Sequence, residues 1–137
     1  MLLIDTGIFV AAADRDEPHH SDCAALLRSR TDLAVTATVI PEAAWLIETR
    51  LGPAAEARFL ALITSPRFTI IDLIATDYQR AIALIGTYTE LGLGFVDASI
   101  IAIAERHNTT QIATLNHRDF AVVRPAHCDA LDLVPSR

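Results

Sequence analysis

Asp5, Glu42, Asp97, Asn116 and Asp119 are the side chains of this 137-residue sequence whose types and positions suggest chemistry. Asp5 ends the apolar run Leu2-Leu3-Ile4. Glu42 follows Pro41 near the start of an apolar-periodic stretch, and Asp97 opens "GFVDASIIAIAERHN". Asn116 and Asp119 lie just past Ile112-Ala113-Thr114-Leu115. Carboxylates and one amide offer oxygen donors, with no His or Cys at ligand spacing among them. Such a set suits a hard cation, Mg²⁺ or Mn²⁺. An ion held that way orients a water, assists its deprotonation and stabilises charge developing on phosphate oxygens.

Each residue also has a plainer role available. Asp5 suits a helix N-cap, Glu42 and Asp97 suit helix first turns, and Asn116 and Asp119 suit a turn. The set as a whole is harder to explain in that way, because like charges gathered at one rim destabilise a fold unless a cation offsets them. Whether they gather depends on the elements that carry them.

Leu2 to Asp5, Leu33 to Thr36, "RFTIIDL" and Gln111 to Leu115 read as strands, with Asp129 to Val134 a short fifth. Between them lie helical stretches. Thr6 to Ala13 is one; "DEPHHSDCAALLRSR" is the next, with Glu17-Pro18 in its first turn. "TVIPEAAWLIETRLG" has Thr38 as N-cap and Gly52 closing its end. Ala54 to Ile63 and Thr76 to Leu91 follow, and the stretch around Asp97 is apolar on nearly all sides and therefore central. This alternation predicts an α/β fold with a mainly parallel central sheet of four to five strands flanked by helices. In such a sheet ligands bind outside the carboxyl ends of the strands, and all five residues point to that rim.

The length fits a single domain spanning 1–137. Net charge is -6 and every basic residue is Arg, which argues against a broad nucleic-acid surface but leaves room for a local Arg-lined groove. Cys23 and Cys128 form no C-x-x-C pair, so free thiols are expected. The carboxylate at position 5 comes too early for a signal peptide, and no apolar run has membrane-span length. The expected location is cytoplasmic, with no membrane partner.

"LLIDTG", "TATVIPEAAWLI", "GFVDASIIAIAERH" and "IATLNHRDF", in this order and spacing, resemble a PIN domain. More narrowly they resemble the VapC-type ribonuclease toxins of bacterial VapBC toxin–antitoxin pairs, over nearly the whole chain. The resemblance implies an endoribonuclease that uses Mg²⁺ (Mn²⁺ as substitute) to cleave structured RNA such as tRNA or rRNA loops. It also implies a homodimer held inactive by a cognate VapB-like antitoxin. Asp5, Glu42 and Asp97 would be the metal-binding acids, Asp5 and Asp97 as direct ligands and Glu42 beside them, with Thr6 hydrogen-bonding next to Asp5. The family usually ends its fourth strand in T-L-D, and here Asn116 replaces that Asp, with Asp119 three residues on. Asn116 is expected to offer its carbonyl oxygen to a water in the pocket. His117 and Arg118 are candidates for RNA phosphate contact, followed by Arg15, Arg50 and Arg106. Trp45 is expected in the core or at a dimer interface. Asn116 also keeps alive an alternative: a catalytically impaired PIN domain acting as an RNA- or protein-binding module.

Overall fold

The computed structural model describes residues 1–136. Five parallel strands form one sheet: β1 (Leu2–Ile4), β2 (Leu33–Thr36), β3 (Phe68–Ile71), β4 (Gln111–Ala113) and β5 (Asp132–Val134), in the order β3-β2-β1-β4-β5. Leu3 pairs with Ala34 on one side and Ile112 on the other. β1 and β2 are buried throughout, as expected of strands covered on both faces. Seven helices alternate with them: α1 (Thr6–Ala13), α2 (His20–Ser29), α3 (Val39–Leu51), α4 (Pro53–Ile63), α5 (Ala75–Thr87), α6 (Phe95–Arg106) and α7 (His117–Val122). The strand order reverses at β1, between β2 and β4, so the crevice at their carboxyl ends is the topological switch point.

Backbone bonds continue past the strand ends at this edge. The Asp5 amide donates to the Ala113 carbonyl (2.8 Å), and the Thr114 amide donates to Val134 (2.9 Å). These bonds fix the first residues after β1 and β4 side by side. α6 carries Asp97 in its first turn, and its residues 98 to 104 are all buried. Two ion pairs clamp it to α5: Arg106 to the buried Asp77 (2.9 Å), and Arg80 to Glu105 (2.7 Å). Arg106 is therefore occupied structurally.

Some boundaries differ from the sequence expectation. Glu17 and Pro18 belong to a turn, closed by the His20 amide on the Glu17 carbonyl, and α2 starts at His20. α5 stops at Thr87, because the chain turns through Tyr88–Leu91 into Gly92, whose φ of +73° lies in the left-handed region. Gly52 does close α3, at φ +88°, and its backbone leads directly into Pro53 of α4. Thr38 precedes α3 but makes no side-chain cap. Its hydroxyl bonds Ser99 of α6 (2.6 Å) and Thr36 (3.0 Å), tying the start of α3 to the start of α6. Trp45 is 64% exposed, which removes the core reading. Both cysteines are free, and burial pushes the Cys23 thiol up to about 11.

Candidate active site

Asp5, Thr6, Glu42, Asp97 and Asn116 line one open cleft of about 600 Å³ at the switch point. Asp5 is the N-cap of α1 and is 7% exposed. One of its carboxylate oxygens accepts the Thr6 amide (2.8 Å), and the other accepts the Thr114 hydroxyl (2.7 Å). Glu42, in the first turn of α3, is exposed at the rim. Asp97 is half-buried in the first turn of α6.

Asn116 sits between the acids in the opposite sense to the one expected. Its Nδ2 donates to Asp119 (3.0 Å) and reaches Asp97 (3.5 Å), whereas its Oδ1 accepts the Asp119 amide (3.4 Å) and so caps α7. The physical reason is local: two carboxylates need a donor, and the first turn of a helix needs an acceptor. Asp119 accepts the Asn116 side-chain amide and does not line the cleft itself. Its Oδ1 is buried without a hydrogen bond. The Arg118 Nε is 3.3 Å away, close enough to pair as ions but not aligned to donate, and Arg118 is 78% exposed. Neither His117 nor Arg118 lines the cleft.

The acids act on one another. Burial raises the Asp5 carboxyl above its ordinary range; the bonds from Thr114 and Thr6 oppose that, and Glu42 adds to it. Burial and then the charges of Asp5, Asp119 and Glu42 push Asp97 up to about 7, against a smaller lowering by Asn116. A site in which carboxylates hold each other's protons near neutrality is one that a cation would relieve.

The donor set fits a divalent ion in chemistry: every candidate is oxygen, and Thr6 Oγ1 is a buried hydroxyl with no partner. The carboxylates do not form a finished cage. Among the described residues no three His, Cys, Asp or Glu side chains converge closely enough to hold an ion together. Asp5 and Asp97 face the same cleft as Thr6, and the Asn116 amide nitrogen lies 3.5 Å from Asp97.

Thr114 carried no flag in the sequence, whereas Arg50 was a lower-ranked candidate for phosphate contact. Thr114 donates to Asp5 and also accepts the Asn116 amide (3.0 Å), so one hydroxyl couples the ends of β1 and β4. Arg50 lines the cleft beside Glu17 and Leu46. Its position was legible: Glu42, Leu46 and Arg50 recur every four residues along α3 and share a face. Thr114→Val keeps the shape and removes the hydroxyl, and should cost ~2 kcal/mol of unfolding free energy, as for a buried bond to a charged group. Urea denaturation measures this, and a loss below ~0.5 kcal/mol would show that the bond contributes little.

A family model described as the PIN domain matches residues 2–124. The chain belongs to the PIN-domain family. Within this family it is 28% identical over 135 residues to the ribonuclease VapC26 of Mycobacterium tuberculosis, covering 98% of this chain and all of that one. The PIN fold is shared with M. tuberculosis VapC20, a sarcin–ricin-loop-cleaving toxin, at TM-score 0.76 and 19% identity, over 82% of this chain and 87% of that one. It is shared also with a chain of a toxin–antitoxin complex from Klebsiella pneumoniae, at TM-score 0.67 and 22% identity, over 98% and 97%.

Proposed function

We propose that this PIN-domain protein is a VapC-type endoribonuclease toxin that depends on Mg²⁺, with Mn²⁺ as a substitute, and cuts structured RNA such as tRNA or rRNA loops. The observation that carries this reading is the oxygen-lined cleft at the switch point, where burial and then the charges of Asp5, Asp119 and Glu42 raise the Asp97 carboxyl to about 7. The similarity to VapC26 over the full length supports the ribonuclease assignment.

Asp5 and Asp97 would hold the ion, with Thr6 and Glu42 beside them and Asn116 and Asp119 completing the acidic corner. When bound, the ion supplies a lowered pKa for the attacking water and neutralises charge on the phosphate. The protein's own residues do the rest. Thr114 fixes the Asp5 carboxylate, and the α5–α6 ion pairs fix the helix that carries Asp97. Glu42, exposed at the rim, would accept the proton released as water adds to phosphorus, and a solvent water would protonate the leaving sugar oxygen as the P–O bond breaks.

The proposed partners are a VapB-like antitoxin, supported by the fold shared with a toxin–antitoxin complex, and a second copy of this chain. The homodimer is supported by the exposed apolar side chains Tyr78, Ile82 and Ile85 on α5, with Phe95 stacked on Tyr78 at 5.8 Å. Among the described residues no helix is long and apolar enough to cross a membrane; the proposed site of action is the cytoplasm, where the RNA substrates are.

Asn116 and the absence of a finished carboxylate cage favour one other reading, a PIN domain that binds RNA or protein without cutting it. Purified protein offered labelled RNA and DNA hairpins in parallel separates the two. Cleavage of RNA that requires added Mg²⁺ or Mn²⁺ and stops with EDTA is the expected result. RNA binding without cleavage at any metal concentration would establish the binding module instead.

A further inference from the structure

Resting on the ribonuclease reading, we infer that Arg50 is the residue that positions the RNA phosphate over the cleft, and that Glu17 holds it there. The cleft lining explains the need. It includes Asp5, Glu17, Glu42 and Asp97, and Arg50 is its one cationic side chain among the described residues. A phosphodiester approaching such a wall meets like charge, and a metal ion compensates only at the reacting phosphate. A guanidinium at the rim offers a fork of donors matched to phosphate oxygens.

The local structure aims Arg50 at this task. It follows Glu42 by two helical turns on the same face of α3, so the acid and the base stand in line along the cleft. Its Nη1 donates to Glu17 Oε1 at 2.8 Å, the one hydrogen bond that its guanidinium makes among the described residues. Glu17 comes from the turn between α1 and α2, so the pair spans the cleft mouth from α3 to that turn. Four of the five N–H donors remain for a ligand. The Arg50 side chain is 44% exposed, and that of Glu17 27%, so the guanidinium is restrained yet reachable. Other basic candidates are placed differently: Arg106 is engaged by Asp77, Arg15 lines a separate groove with His20, Arg28 and Arg58, and Arg118 does not line the cleft.

Steady-state cleavage of a labelled RNA hairpin in Mg²⁺, repeated across a salt series, tests the assignment. Arg50→Ala should raise KM roughly tenfold and leave kcat within about twofold, as expected for lost phosphate binding. The slope of log(kcat/KM) against log salt should become shallower by about one. Arg50→Lys should restore most of that slope, since it keeps the charge. Mg²⁺ binding to Arg50→Ala, followed by calorimetry, should match wild type, showing that the acidic residues are undisturbed. If wild type cleaves and Arg50→Ala keeps both KM and salt slope, the assignment is wrong while the ribonuclease reading stands. If wild type does not cleave RNA at all, both fall together.

Discussion

Replacing Asp97 with Asn should make the metal-free protein more stable at pH 7, although the residue sits in the candidate active site. The folded protein holds the Asp97 proton up to about pH 7, against an ordinary value of 3.8, first through burial and then through Asp5, Asp119 and Glu42. Between those two values the folded state binds more protons than the unfolded chain. Stability from this group is therefore present at low pH and is lost as pH rises through that window. The full shift corresponds to ~4 kcal/mol. Asp97 is half-buried, and solvent screening reduces the expected gain of Asp97→Asn to ~2 kcal/mol, or about 6–10 °C in Tm for a chain of this size. Thermal melts in EDTA at pH 5 and pH 7.5 measure it. The variant should gain most at pH 7.5 and roughly half as much or less at pH 5, and a gain equal at both would remove the account of strain among the acids.

Asn116→Asp should act in the opposite direction on the metal-free fold and strengthen metal binding. The native amide donates to Asp119 and Asp97, so a carboxylate there replaces a donor with a third like charge. The metal-free Tm should fall. With Mg²⁺ present the added charge attracts the ion, with a ceiling near ~4 kcal/mol at ~4 Å in a dielectric of about 20. Water in the open cleft lowers the expected gain to ~1–2 kcal/mol, about five- to thirtyfold in Kd. Cleavage at limiting Mg²⁺ should rise with it and the advantage should shrink at saturation. Calorimetric Mg²⁺ titration decides: an unchanged Kd would mean that Asn116 serves only as the cap of α7.

The sheet was legible because its strands are short apolar runs that end in a polar residue at the same rim, as Leu2-Leu3-Ile4 does in Asp5. The placement of Asp5, Glu42, Asp97 and Asn116 on one cleft follows from that pattern and the switch-point rule. α7 was not legible, because six residues, "HRDFAV", are too few to show a helical period, and one buried Phe120 anchors it. The Thr114 contact was hidden for a different reason: its partner Asp5 is 109 residues away, and no local pattern encodes such a bond. The orientation of Asn116 depended on which neighbours needed a donor. That is a property of the assembled site and not of the segment "TLN". The five-membered sheet is wholly parallel, because β5 returns beside β4 through α7 and not by a hairpin.

In the proposed function, Asp97 belongs to a cleft that cuts RNA with the help of a divalent ion. The most direct measurement compares the single-turnover cleavage rate of a labelled RNA hairpin by wild type and Asp97→Asn at saturating Mg²⁺, after both are shown to be folded. Wild type should cleave, and the variant should fall by about a thousandfold or more, equivalent to ~4 kcal/mol of lost transition-state stabilisation. A folded Asp97→Asn protein that cleaves at the wild-type rate would contradict the account.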